Sequence, residues 1–448
     1  MPCPGDLLQS PLPMPATKIS LTLLLMTALP LAAQSLPAKK MPVTHAPQNA
    51  ATVHKNAIVI DTHADTTQRM LDDKYDLAQP LDGGHLNFDA AKKGNLGAEF
   101  FSIWVEPDLY KGHYARRTLE LIDAVYQQAA KHPDKMMMAY SPEDILKAHR
   151  GHKLAALMGI EGGHSIEDSL GLLRDYYRLG VRYMTLTWSN SNGWADSSGD
   201  INDTAIQHTQ DGLSDFGKDV VYEMNRLGMM IDISHVSDKT FYRTVITSRA
   251  PVFASHSSAR ALCDAPRNMT DDMLRAVARS GGPGSKGGVV MVNFYSAFLS
   301  EDYRKAWEAQ APARKAAEQA AIDKMKAEGK PVNYSAINEL DKQWAAKIPR
   351  PPLSVLIDHI DHIAKGAGID HVGLGSDFDG ISSTPQGIDS VADLPKITAA
   401  LMARGYSASD CDKILGGNFL RVFREVVATS KELQAQTRPR IAQRQPAH

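Results

Sequence analysis

Cysteine is scarce: the chain of 448 residues has three, and Cys3 lies in an N-terminal leader. That number excludes a zinc site built on thiolates. It leaves Cys263 and Cys411 either to pair or, on the simpler reading, to sit as two buried thiols. An excess of one charge is also missing. The formal net charge is −2 and no long basic stripe occurs, which argues against a nucleic-acid partner. No apolar run has the length of a comfortable membrane span. The run from Ile19 to Ala33 is short for one and is broken by Pro30. What remains is ordinary globular composition, 43% hydrophobic and 22% charged, with enough chain for a large core.

Lys18 precedes that apolar run, and small residues close it before Gln34, the pattern of a secretory signal peptide with Met14 as an alternative start. An uncleaved anchor helix is the competing reading, and no cysteine follows closely enough for a lipid anchor. The chain therefore divides into a signal peptide (1–33), a Pro-, Ala- and Lys-rich linker (34–50), a folded domain (51–427) and a polar, basic, loose tail (428–448). Export implies a periplasmic or secreted protein with no stable membrane anchor.

Apolar runs alternate with helical stretches through the domain. Strands are expected at Ala57–Ile60, Glu99–Val105, Leu154–Ile160, Arg182–Leu186, Met229–Ile233, Val252–Ala254, Val289–Asn293 and Val372–Leu374. Helices are expected at Arg116–His132, Leu170–Leu179 and Asp215–Leu227. Eight strands alternating with helices is the count of an α/β fold of the (β/α)8 TIM-barrel type. An open doubly wound sheet is the competitor, but it would not easily bring first and last strands together. Residues 302–347, rich in Ala, Lys and Glu, read as a pair of solvated surface helices inserted before the last strand, with a lid or a homodimer contact as other uses.

Polar residues cluster where strands run out, which in such a barrel is the active-site rim. His63, Asp65, Glu161, His235, His256 and Asp377 are thereby placed around one mouth. Imidazole and carboxylate without thiolate suit zinc. His63 and Asp65 are assigned to one ion and His235 and His256 to a second, with Glu161 bridging through its two oxygens. Asp377, in Gly-Ser-Asp-Phe-Asp-Gly, is assigned to proton transfer. Each also has a structural reading: a strand-end histidine can be a core residue bonded to backbone, and Asp377 can cap a turn. His164 is read as lying behind the ligands and His371 as loop structure.

The segments IDTHAD, GIEGGHSI, GVRYMTLTW, SDFGKDVVYEMNRLGMMIDISHVS, SHSSARALCDAPRNM, VVMVNFY, GLGSDFDG and GGNFLRVF, in that order, resemble the membrane (renal) dipeptidase family, peptidase family M19, in its exported bacterial form. The resemblance spans about Asn56 to Val427. It implies a metal-dependent hydrolase barrel of the amidohydrolase-like kind with two Zn2+ ions, a dipeptide substrate, and Asp377 as acid/base. It also implies that Arg267 binds the substrate's C-terminal carboxylate, a good match for a guanidinium fork. Two positions depart from the family. Trp188 stands where a histidine usually donates to the scissile carbonyl, a role that Trp188 itself, Asn190 or Asn192 could fill. Phe298 stands where eukaryotic members carry a tyrosine.

The resulting expectation is a zinc-dependent dipeptidase. Its rivals are an amide, lactam or N-acyl amino acid hydrolase on the same barrel, favoured by Trp188, and a non-catalytic peptide-binding relative. A carbamylated-lysine centre is disfavoured because the third strand ends in Glu161 rather than lysine. A deaminase-type His-x-His is absent from the first strand.

Overall fold

The computed structural model describes residues 49–209, 211–330, 332 and 334–441. The leader, Cys3 and all but the end of the linker lie outside the described residues. Among those described, the strands are β1 (Val59–Ala64), β2 (Leu96–Trp104), β3 (Met136–Met138), β4 (Leu154–Glu161), β5 (Val181–Thr185), β6 (Met230–Asp232), β7 (Phe253–Ala254), β8 (Val289–Val292) and β9 (Val372–Leu374). Eight pair in the order β1-β2-β4-β5-β6-β7-β8-β9, all parallel. The ends meet, because Ala64 bridges Phe378 and the Asp65 N–H donates to the Phe378 carbonyl at 2.7 Å. The (β/α)8 expectation holds, and the open sheet is excluded. β3 was not foreseen. It pairs only with the first residues of β4, and a run of three methionines carries no alternation to betray it.

The strands are buried on both faces, as parallel strands covered by helices must be. Along β4, Ala156, Met158 and Ile160 join the outer apolar layer, whereas Ala155 and Leu157 point into the barrel with Ile60, Phe100, Tyr183 and Phe253. Helices cover the outside. One of them, α3 (Asp215–Leu227), matches the sequence expectation at both ends. Ser214 accepts from the Gly217 N–H at its start, and Gly228 at φ +86° ends it. Two others matter for the site or the tail: α1 (Thr66–Asp72) begins just after β1, and α2 (Tyr114–Lys131) precedes β3.

The insert contains three helices rather than two: α4 (Glu301–Ala309), α5 (Ala311–Ala327) and α6 (Tyr334–Ala345). α5 buries no residue, as a solvated helix should. The last helix, α7 (Asn418–Gln436), packs Phe419 against Phe100 with ring centroids 5.3 Å apart and closes the end of the barrel where the strands begin. The tail expected to be loose beyond Val427 is helical as far as Gln436. The apolar stripe of α7 carries on through Val426 to buried Ser430 and Leu433. Cys263 and Cys411 are free and buried. No helix among the described residues is long and apolar enough to cross a membrane.

Candidate metal centre and active site

The barrel mouth gathers the six rim residues. His63 is next to last in β1, and Glu161 is the last residue of β4. His235, His256 and Asp377 follow β6, β7 and β9 within three residues. Asp65 is not on an extended chain with His63. It starts α1 at φ −89°, ψ 17°, and the two side chains meet through that turn, His63 Nε2 to Asp65 Oδ2 at 3.5 Å. Glu161 divides its oxygens: Oε2 faces His63 Nε2 at 3.3 Å, while Oε1 faces His235 Nε2 at 2.8 Å and His256 Nε2 at 3.4 Å. His235 and His256 approach each other at 3.0 Å between their Nε2 atoms. His235 and Asp377 hold left-handed backbone, φ +66° and +63°, which non-glycine residues adopt rarely and mostly where the surroundings compel it.

The far nitrogen of each imidazole is occupied. His63 Nδ1 meets the Tyr183 hydroxyl at 2.7 Å, His256 Nδ1 meets Ser255 Oγ at 2.7 Å, and His235 Nδ1 lies 3.4 Å from Ser189 Oγ. Ser255 spends its only hydrogen on Asp232 at 2.6 Å, so it accepts from His256 Nδ1–H. The His256 Nε2 lone pair is thereby aimed inward, the usual way a ligand's tautomer is set. Asp232 is itself held by the N–H groups of Ser234 and Ser255 and by Thr185. Glycine leaves the room this arrangement needs. A Cβ on Gly159 would sit 1.9 Å from the Tyr183 ring, and one on Gly380 would sit 2.1 Å from Asp65 Oδ2.

Burial and crowded charge shape the electrostatics. Burial would lower the basicity of His63, but Tyr183, Glu161 and Asp65 outweigh it and raise it well above the histidine range. Burial and the nearby Arg267 push His235 down to about 4, and burial with the His63 charge pushes His256 well below the ordinary histidine range. Against its own burial, Glu161 stays ionised because three histidines surround it. Asp377 is pushed up to about 7 by burial and by the Asp65 and Glu161 carboxylates, against His63 and an Asn293 hydrogen bond at 2.8 Å. Its other oxygen is left for a ligand or substrate.

Above this floor lies a cavity of about 140 Å³ lined by Asp65, Glu161, His235 and Asp377 together with Arg267, Trp188, Trp104, Ser189, Tyr295, Phe298 and Tyr334. Arg267 donates to Ser257 Oγ at 3.2 Å and to the His256 carbonyl at 3.1 Å, and its buried Nε has no partner. Trp188 packs on Trp104 with ring centroids 4.9 Å apart. Asn190 does not line the cavity; its amide turns to the Ser191 carbonyl at 3.4 Å, and Ser189 takes the place at the wall. Asn192 is likewise turned away, onto the Leu186 carbonyl at 2.9 Å. His164 Nε2–H donates to the Val105 carbonyl at 2.8 Å behind Glu161, and His371 donates to the Gly288 carbonyl away from the mouth. Sequence reasoning missed Trp104, Tyr183, Asn293 and Tyr334. Trp104 and Tyr183 sit at strand positions whose alternation points inward, and Asn293 continues that alternation one residue past β8, a signal that was readable; Tyr334 carried none.

A sequence profile of the membrane dipeptidase family, peptidase family M19, matches residues 47–437. The chain belongs to that family. It is 33% identical over 372 residues to dipeptidase tcpJ of Claviceps purpurea, covering 81% of this chain and 74% of that one. It is 33% identical over 358 residues to human dipeptidase 3, covering 79% of this chain but only 61% of the human protein's length. Among solved structures, the probable dipeptidase PvdM of Pseudomonas aeruginosa superposes with a TM-score of 0.68 at 27% identity, over 85% of this chain and 98% of that one.

Membership of M19 makes the chain a peptidase and implies a metal cofactor. The donor set fits one. His63 Nε2 and Asp65 Oδ1 are buried with no hydrogen-bond partner, which is costly unless something electropositive lies between them. Two groups of donors, His63–Glu161–His256 and His63–Asp65–Asp377, each lie within 4.8 Å. The second group includes Asp377, so that carboxylate stands within ligating reach as well as facing the cavity.

Proposed function

We propose that this M19 chain is an exported, zinc-dependent dipeptidase that hydrolyses the peptide bond of small dipeptides. His63, Asp65, His235 and His256 would hold two zinc ions, with Glu161 shared between them. When bound, zinc supplies Lewis acidity for the scissile carbonyl and lowers the pKa of water. The chain's own residues do the rest. Arg267, which lines the cavity, takes the free C-terminal carboxylate and so limits substrate length at that end. Asn293 fixes one oxygen of Asp377, and the other accepts a proton from the attacking water and returns it to the leaving amine. Trp104 and Trp188 wall off bulk water, which strengthens every charge inside.

The observation that supports this reading most is the split of Glu161, one oxygen toward His63 and the other toward His235 and His256, in a cavity that Asp377 and Arg267 also line. A hydrolysis screen of L,L and L,D dipeptides, with metal stoichiometry measured on the same sample, tests it. Cleavage with about two zinc ions per chain is expected. If the zinc-loaded protein cuts none of them while a control dipeptidase does, the reading is wrong. Trp188 favours a second reading, an amide hydrolase acting on N-acylated amino acids, because an indole offers one donor and no base. Preference for N-acylated over free-amine substrates in the same screen would select it.

A further inference from the structure

The insert does not stay at the periphery. While α5 buries none of its residues, α6 places the Tyr334 ring 4.7 Å from that of Trp104, which already packs on Trp188. Hydrogen bonds to the loops of the mouth hold α6 there. Asn338 donates to the Asp379 carbonyl at 3.0 Å, Lys342 to the Gly83 carbonyl at 2.9 Å, and Ser335 to Asp73 at 2.5 Å. Asp379 is two residues from Asp377, so the insert is tied to the loop that carries the proposed proton carrier.

Two cavities meet beneath this helix. The reaction cavity of about 140 Å³ adjoins a second of about 110 Å³ that Ile337, Asn338, Asp341 and Ser382 line. Tyr295, Tyr334, Gly380 and Ile381 border both. Of these four, only Tyr334 comes from the insert; its phenol and that of Tyr295 are the two large side chains between the chambers. The reaction cavity is small, about 140 Å³, which favours small side chains over large ones. The second chamber has apolar walls at Ile337 and Ile381. The rest of its lining is polar, with Asn338, Ser382 and Asp341, the last already facing Arg314 at 3.4 Å, so the space can take a longer uncharged side chain.

We infer that Tyr334 is a specificity-determining residue, a partition supplied by the insert that confines the site to dipeptides with small side chains and withholds the second chamber from longer ones. The inference rests on the dipeptidase reading for its substrate class. It is tested with Tyr334→Ala, Tyr334→Leu and Tyr334→Phe, comparing Ala-Ala with Ala-Leu and Leu-Ala. Two quantities are read: kcat/KM of the zinc-loaded protein, and dissociation constants of the same dipeptides for the metal-free protein by calorimetry. In Tyr334→Ala the ratio of the leucine-containing peptide to Ala-Ala is expected to rise about tenfold or more in one of the two orders. Tyr334→Leu should shift it less in the same direction, and Tyr334→Phe should leave it unchanged. If the wild type cleaves dipeptides and neither Ala nor Leu moves the ratio, the partition is refuted and the dipeptidase reading stands. If the wild type cleaves none, the dipeptidase reading falls and the binding ratio alone decides. The predicted shift there upholds the partition, and an unmoved ratio or no binding overturns it.

Discussion

The floor of the site and its rim are built by different means. On the floor, each histidine has its far nitrogen engaged by a hydroxyl: Tyr183, Ser255 or Ser189. Those hydroxyls sit on or beside barrel strands, and Asp232 anchors Ser255 in turn. On the cavity walls above, Trp188 and Tyr334 pack against Trp104 at the end of β2, and Tyr334 arrives on a helix outside the eight-strand alternation. Chemistry thus rests on rigid, hydrogen-bonded elements, and selectivity rests on parts that can vary without disturbing them. The difference teaches where a substitution should abolish turnover and where it should only redirect it.

The harshest way to break the comparison is at Glu161. Glu161→Ala removes the carboxylate that three imidazoles share, and kcat/KM is expected to fall by about 10³-fold or more together with the metal content measured on the purified protein. Retained metal and activity would show that the floor does not depend on it. Next is Asp377→Asn, which keeps the Asn293 contact geometry but cannot carry a proton. A loss of about 10²–10⁴-fold in kcat is expected. A smaller effect is expected from Gly159→Ala, which forces a methyl into the Tyr183 ring. Denaturant unfolding should show a loss of about 1–3 kcal/mol, with weaker metal retention because His63 loses its partner. At the rim, Trp188→Phe preserves the packing on Trp104. It should change kcat/KM by less than about tenfold, and a loss of about 10²-fold or more would make the indole N–H a true donor to the reacting carbonyl.

The mildest prediction concerns stability. Burial alone would raise the Asp76 carboxyl, but hydrogen bonds from Lys131, Ala78 and His132 outweigh it and hold it at about 2 against an ordinary 3.8. A depressed folded-state value means the carboxylate stabilises the fold fully above about pH 4, and loses that effect as pH falls toward 2. Melting temperatures of wild type and Asp76→Asn should therefore differ at pH 7, and the difference should shrink as pH falls from about 4 toward 2.

Much of this molecule was legible along the chain. Eight apolar runs closed by polar residues announced a barrel, because parallel strands buried on both faces leave few polar positions except at their ends. The rim ligands were found for the same reason. Strand limits slipped by up to four residues, the most at β1, which runs on through His63 and Ala64 instead of stopping at Ile60. Hydrogen-bond pairing continues there after hydrophobicity has ended. Asn190 was misjudged because a loop's sequence does not say which of its side chains faces the cavity. The tail was misjudged because a sparse apolar stripe in a polar segment becomes a helix only when a barrel end offers something to pack against.

The linear order of residues was enough to determine the donor types, the family and the barrel, since these follow from local periodicity and from which side chains can hold a cation. Only the folded chain decided which nitrogen of each imidazole faces inward, how Glu161 divides its oxygens, and that Tyr334 stands over the mouth. Those depend on contacts between segments tens to hundreds of residues apart, and no local pattern in the chain records such distances.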